Sequence, residues 1–386
     1  MAEAVIEPVR NQDQLKEFVA FPWKVYKDDP YWVPPLFHER MLFFNPKKNP
    51  FFEHSRVQLY LAKRGGEVIG TIAAIINDRH NEFQKEQVGF WGHFECVNDQ
   101  DVANQLLRTA EAWVRDQGMQ AIRGPMNMST NDECGLLISG YDSPPVAMMT
   151  YNPPYYERLI ESAGYVKAQD LYAYIIATNL YEENVDNLPR KFLQASRKLL
   201  QEGEITIRTA NLATFEQEMV RAKEVYNAAW SHNWGFVPMT DHEIEHLARG
   251  LRPFLDPDMI FFAEDKGKPV GISVAIPDVN ENLLRIKPKP GASMLRYAYD
   301  GIRFLWDRRR HQPRLFRLLI MGVVEGYRSR GIDACFYVET AKKAFAKGYK
   351  QCEMSWILES NPMMNRIIQR LGGKIYKTYR IYEKTL

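Results

Sequence analysis

The feature that most constrains this chain is that it repeats itself, because a duplicated run of elements demands two copies of one architecture. Gly66-Glu-Val-Ile-Gly70-Thr-Ile-Ala-Ala74-Ile75 reads as a turn entering an apolar strand, and Gly267-Lys-Pro-Val-Gly271-Ile-Ser-Val-Ala275-Ile276 reads the same way. Gly66/Gly267, Gly70/Gly271, Ala74/Ala275 and Ile75/Ile276 match at one constant offset, and Asn77 and Asp278 follow at corresponding places. Residues 106–117 and 334–347 both have helical periodicity, carry a Thr-Ala pair (Thr109-Ala110, Thr340-Ala341) and stop at a glycine, Gly118 or Gly348. Asn152-Pro153 and Asn361-Pro362 then open short helices over 155–162 and 363–371, with Pro where a missing N–H costs nothing. Gly164 and Gly372 close them, and aromatic strands over 171–176 and 379–382 follow. The order of elements predicts two α/β (α+β) domains, each a mixed twisted sheet flanked by helices. They are expected over 1–180 and 204–386, joined by a polar connecting segment, 181–203, with a helix over 188–201. The strand 204–208 opens the second copy.

The composition supports two such cores. Of 386 residues 45% are hydrophobic and 25% charged, which excludes wholesale disorder. Fifty Lys+Arg against 48 Asp+Glu give a net charge of +2, no global signature for a polyanion. Nucleic acid is therefore not an expected partner; only the local cluster Arg308–Arg310 points that way. Cys96, Cys134, Cys335 and Cys352 form no CxxC pair, so buried free thiols in a reducing cytoplasm are expected, without a disulfide framework or a cysteine zinc site. The first residues lack the apolar core of a signal peptide, and no stretch approaches the roughly 20 apolar residues of a membrane span. The expected location is cytoplasmic.

The halves differ at one place that carries chemistry. In the second, the strand Leu318-Leu-Ile-Met-Gly-Val-Val324 runs into Glu325-Gly-Tyr-Arg328-Ser-Arg330-Gly331-Ile-Asp333 and then a helix. A strand, a tight basic glycine turn and a helix start together make an anion cradle, since backbone N–H groups converge there and the helix dipole adds positive charge. This passage resembles the pyrophosphate loop of the GNAT acyltransferase superfamily, Arg/Gln-x-x-Gly-x-Gly/Ala after a Val-rich strand. The resemblance covers most of residues 204–386. It implies acetyl-CoA or a longer acyl-CoA as co-substrate, held by Val323, Val324, Arg328, Ser329, Arg330, Gly331, Ile332 and Asp333, with no metal. Asp333 stands where the family has Gly or Ala. In the first half the corresponding linker, 95–101, is acidic and lacks the Arg-x-x-Gly. That half resembles a degenerate GNAT domain that binds no CoA and shapes the acceptor side, as in the tandem Fem-type aminoacyltransferases.

The resemblance implies N-acyl transfer, which needs a neutral amine, donors for the oxyanion and a proton for the thiolate. It places the oxyanion donors near Val323 and Val324 and a pantetheine contact at Asn361. The family's usual tyrosine acid falls on Ile368. Glu359, at the end of the strand 352–358, is the candidate base, directly or through water. Asp278 ends the repeated hairpin strand, and Trp234 lies in the aromatic loop Trp230-Ser-His-Asn-Trp-Gly-Phe236; both are acceptor-side candidates.

Two segments bear on the acceptor. Residues 20–52 hold ten aromatics among prolines, too many for a free linker, and are expected to fold over the domain beside an apolar pocket. Residues 291–310 read as a basic amphipathic helix, a candidate for peripheral membrane contact. The tandem layout resembles the YghO-like group, which includes bacterial ceramide synthase-like proteins, and this implies a small-molecule or lipid-like amine acceptor. Two rivals remain. One is a non-catalytic CoA or ligand-binding protein on the same frame. The other is a zinc hydrolase through His242, Glu243 and His246, which match H-E-x-x-H at a helix start. The oligomeric state is left open.

Overall fold

A computed structural model describes residues 3–291 and 293–386; Met1, Ala2 and Ala292, the last within the helix expected over 291–310, lie outside the described residues. The elements in chain order are β1 Val5–Pro8, α1 Gln12–Ala20, α2 Pro22–Val25, α3 Phe37–Phe43, β2 Ser55–Arg64, β3 Glu67–Asn77, α4 Asp78–Gln84, β4 Val88–Cys96, α5 Gln100–Asp116, β5 Ala121–Gly124, β6 Leu136–Ser139, α6 Tyr155–Ser162 and β7 Val166–Ala177. There follow α7 Arg190–Glu202, β8 Ile205–Thr209, α8 Phe215–Trp230, α9 Asp241–Leu251, β9 Ile260–Asp265, β10 Lys268–Pro277, α10 Asn280–Ile286, α11 Met294–Arg310, β11 Leu315–Val323, α12 Ile332–Ala346, β12 Gln351–Leu358, α13 Pro362–Arg370 and β13 Lys374–Thr385. Two compact units form: unit 1 is Met1–Leu171, Asn280–His311 and Lys377–Leu386, and unit 2 is Tyr172–Val279 and Gln312–Tyr376. The helix expected to connect the halves, α7, packs within unit 2, where its Leu199 joins Cys335 and Phe336 of α12 in one core cluster.

In unit 1 the strands β1-β2-β3-β4-β5-β13 are neighbours in that order, antiparallel except for the parallel pair β4/β5. In unit 2 the order β8-β9-β10-β11-β12 repeats the pattern, three antiparallel pairings and then the parallel pair β11/β12. The repeated sequence hairpins are β2/β3 and β9/β10. Each turns at a left-handed glycine, Gly66 (φ 84°) or Gly267 (φ 82°), a backbone region that L side chains enter at a cost.

The long helix after each of β4 and β11 buries one stripe. On α5 the residues Val102, Leu106, Ala110 and Val114, four apart, pack into the unit 1 core with Tyr156, Leu159 and Ile160 of α6. On α12, Ile332, Cys335 and Phe336 pack on Phe261, Ala263 and Val270, while α8 covers the other face of that sheet through Val225 and Ala229. All four cysteines are buried, and none is in a disulfide. Among the described residues no helix is long and apolar enough to cross a membrane.

Helix α11 departs from the expected amphipathic pattern. Its buried residues are Asp300, Phe304 and Asp307, while Leu295, Tyr299, Ile302 and Trp306 are exposed. The acids inside hold polar partners: Asp300 Oδ2 takes Arg296 at 2.8 Å, its Oδ1 being buried without a partner, and Asp307 takes Asn282, Arg285 and His311. Fixing the helix through buried carboxylates leaves its apolar stripe free to face outward.

Candidate functional site

In unit 2 the parallel strands β11 and β12 pair from Leu315/Gln351 to Leu318/Met354 and no further. Past that point they part, and a cavity of about 460 Å³ opens between Leu319–Val323 on one side and Ser355–Leu358 on the other. Four residues of the basic loop (Arg328, Ser329, Ile332, Asp333), together with Val323 and Asn361, line this one cavity. Gly331 is the N-cap of α12 with φ 92°, and no side chain caps that helix start. Its first N–H groups therefore keep the donor capacity that a helix N-terminus offers an anion. A Cβ on Gly331 would lie 3.1 Å from the Ala195 carbonyl oxygen, so the turn is closed to larger residues on that side.

Other expected residues are placed differently. Val324 N–H donates to Val270 O at 2.9 Å, so this donor serves the sheet and is not available for an oxyanion. Arg328 turns back to the end of α8, donating to Ala229 O at 2.9 Å, and Arg330 pairs with Glu204 at 2.5 Å. Asn361 caps α13 by accepting from Met364 N–H at 3.1 Å, which holds it at the cavity wall. Val324, Arg330, Glu359, Trp234 and Asp278 are not among the lining residues. Asp278 is buried at the end of β10, where its N–H donates to Leu315 O. Glu359 lies in the turn between β12 and α13. Ile368 is fully buried and lines the cavity, in place of a proton donor. The sequence reading passed over Trp230, which reaches the cavity because its neighbour is a strand glycine: a Cβ on Gly322 would meet the indole at 2.3 Å.

The His242-Glu243-His246 motif has a structural explanation. Thr240 and Glu243 form a capping box at the start of α9, the Glu243 carboxylate accepting from Thr240 N–H at 2.8 Å. Among the described residues no three ligating side chains are grouped around a metal position.

Unit 1 has a smaller cavity at the corresponding strand pair. The regular pairing of β4 and β5 runs from Val88/Ala121 to Phe90/Arg123. Beyond it Trp91 O accepts from Met126 N–H at 2.8 Å and Asn127 Oδ1 from His93 N–H at 2.7 Å, beside a cavity of about 200 Å³. Thr71 pairs with Glu95 and Ala73 with Gly92, so two residues of β4, His93 and Phe94, face one of β3. This β-bulge re-aims the strand, and His93 sits at φ 45° within it. Glu95 lines the cavity and accepts from Tyr156 OH at 2.7 Å and Tyr26 OH at 2.9 Å, both on Oε2. Burial raises its carboxyl to about 7 despite those two hydrogen bonds, and burial holds His93 well below its usual value. The 20–52 segment packs here as expected: Pro22, Trp23, Trp32 and Phe44 join the lining. Trp32 stacks on Tyr26 with ring centres 5.0 Å apart. The start of α5 differs from that of α12. Asp99 caps it, accepting from Asp101 and Val102 N–H, and also pairs with Arg64 at 2.9 Å.

No family model matches the chain. It is 36% identical to the bacterial ceramide synthase of Caulobacter vibrioides over all of this chain and 98% of that one. It is 35% identical to protein YghO of Escherichia coli over all of this chain and 96% of that one. The chain belongs to the family of these two proteins. Among solved structures, a tandem GNAT protein from the clavulanic acid biosynthesis pathway superposes with TM-score 0.57 at 11% identity, covering 99% of this chain and 98% of that one. The fold is thus the tandem GNAT fold, as the repeat and the loop implied.

Proposed function

We propose that the chain is an acyl-CoA-dependent N-acyltransferase whose acceptor is a lipid-like amine. The observation that carries this reading is the unit 2 splay, where Arg328 and Ser329 of the basic loop and Ile332 and Asp333, at a helix start without a side-chain cap, line one cavity between parting parallel strands. The residues fit an acyl-CoA in kind. The uncapped α12 N-terminus suits a pyrophosphate, and the parted edges of β11 and β12 offer a slot for an extended amide-bearing arm. Bound there, acyl-CoA supplies an activated thioester. The chain's own part is to hold it and keep water out with Met354, Met364 and Ile368.

The lipid-like acceptor is supported by the name of the Caulobacter relative and by α11. The helix presents Leu295, Ile302 and Trp306 outward, at 85%, 68% and 54% exposure, beside Arg303, Arg309 and Arg310. An exposed apolar stripe flanked by cations matches the interface of an anionic bilayer. A second reading, a CoA-binding protein without turnover, is favoured by the engagement of Val324 N–H in the sheet and of Asn361 in a cap. Calorimetric titration with acyl-CoA, followed by an assay for free thiol with a long-chain primary amine, separates the two. Saturable binding with amine-dependent thiol release supports the acyltransferase. Binding without release leaves the second reading, and no binding removes both.

A further inference from the structure

The unit 1 cavity contains a chemical imbalance. Its charged lining is Arg40, Glu95 and Glu133. Arg40 approaches Glu133 at 3.5 Å, and Asn127 Nδ2 donates to the same Glu133 oxygen at 3.5 Å. Among the described residues Glu95 has no cationic partner within salt-bridge distance. Both of its tyrosine donors reach Oε2, and Oε1 accepts from no protein donor among the described residues. His93 Nε2 is also buried without a hydrogen-bond partner. Glu95 Oε1 opens onto the cavity, and the buried ring nitrogen beside it carries the cost of an unpaired polar atom; a ligand that supplies donors or positive charge satisfies both. Polar side chains such as Asn127, Asn152 and Asn280 share the lining with an aromatic wall, Phe18, Trp23, Trp32 and Phe44, from the N-terminal helices and the chain that follows them. An aromatic wall beside a carboxylate suits an ammonium group followed by a hydrocarbon.

We propose that the unit 1 cavity is a binding site for a primary amine carrying an apolar chain, its nitrogen seated on Glu95 Oε1 and its first carbons against Trp23 and Trp32. The inference rests on the reading of the chain as an amine acyltransferase and specifies where the amine is held. Glu95 can also relieve the amine of its charge. An ammonium N–H bond breaks, the proton passes to Oε1, and a neutral amine and a neutral carboxyl remain, with no other reactant required. Tyr26 and Tyr156 fix the carboxyl's orientation through Oε2 and leave Oε1 toward the ligand. The fold reserves this place: Gly92 and Gly124 keep the cavity wall narrow, since a Cβ on Gly92 would meet Met126 O at 1.8 Å and one on Gly124 would meet Trp91 O at 2.3 Å.

The test is isothermal titration of the full chain at about pH 8 with octylamine, octanol, octanoate and butylamine. The proposal expects saturable octylamine binding, with octanol weaker by about tenfold or more and octanoate and butylamine weaker still. In Glu95→Gln, octylamine affinity is expected to fall about tenfold, to the level of octanol, while octanol affinity stays unchanged. Equal affinities of wild-type protein for octylamine and octanol overturn the proposal, and this comparison needs no variant to fold. So does a folded Glu95→Gln that keeps its preference for the amine. A parallel titration with acetyl-CoA separates this inference from the function it rests on. Selective amine binding without CoA binding leaves the amine site standing and removes the acyltransferase reading. CoA binding without amine selectivity does the reverse.

Discussion

The two units place different chemistry on one frame. Gly70 and Gly271 match in the repeat, and each pairs across to the next strand, Gly70 with Cys96 and Gly271 with Val323. One residue along, Thr71 faces Glu95 while Ile272 faces Gly322. At this shared position unit 1 has a carboxylate held by two tyrosines, and unit 2 has a glycine with Trp230 over it. The following helix starts also differ. Asp99 brings an anion of the chain's own to the α5 N-terminus, whereas Gly331 leaves the α12 N-terminus without a side-chain cap. A helix N-terminus satisfied by its own aspartate has little left for a phosphate, and an added anion would meet repulsion there. Each unit thus has a cavity on the shared frame, and we propose an anion for the one in unit 2 and a cation for the one in unit 1.

The largest effect that can break this comparison is expected at Glu95. Removing a proton acceptor from the amine site in Glu95→Gln should lower kcat/KM for acyl transfer by about 10³, within the range of general base catalysis. The same change in Glu359 should cost less than about threefold, because Glu359 lies outside the cavity lining. Steady-state rates of both variants with one amine decide between the two carboxylates, and the reverse order would return the role to Glu359. A pH profile adds the sign. Glu95 accepts a proton only when ionised, so activity should rise with pH through about 7, and Glu95→Gln should lose that limb.

The same carboxyl makes a stability prediction. Its folded value, about 7, lies above the 4.5 of an unperturbed glutamate. The ionised form is therefore disfavoured in the native state, and native stability falls as pH rises from about 4.5 to 7. Glu95→Gln should then stabilise the protein by about 3 kcal/mol at pH 8 and by little at pH 4, readable in urea unfolding midpoints.

Smaller effects sharpen the anion side and the surface. Ser329→Glu places an anion in the cradle and should weaken acetyl-CoA binding by about 100-fold in calorimetry, leaving octylamine binding intact. A combined Leu295→Ser, Ile302→Ser and Trp306→Ser variant should lose about tenfold in affinity for phosphatidylglycerol vesicles, with unfolding midpoints nearly unchanged because these side chains are exposed. The smallest effect is expected for Asp99→Ala, which removes the α5 cap and should cost about 1 kcal/mol in urea unfolding.

Much of the frame was legible from local chemistry. Strand alternation, glycine turns and Asn-Pro helix starts act over a few residues, so β3, β10, α6 and α13 fall where the pattern predicts, within a residue or two at the ends. Helix α5 begins six residues before the expected start, because the Asp99 cap extends the helix toward the strand. The loop 328–333 was legible because its basic glycine turn is continuous in sequence. The carboxylate in unit 1 was visible only as part of an acidic linker, and its acidity was weighed solely as a reason against CoA.

The sequence by itself determined that the chain holds two copies of one strand–helix order, that only the second has a basic glycine turn, and that the cysteines stay apart. Those properties depend on neighbours along the chain. Tertiary structure decided the rest. Glu95 owes its environment to Tyr26, 69 residues before it, and Tyr156, 61 after it. Arg328 is turned to the Ala229 carbonyl, a partner that only packing brings within reach. The segment Asn280–His311 belongs to unit 1 although the repeat places it in the second half. Desolvation and hydrogen bonding depend on what surrounds a group in space, and no local pattern records that.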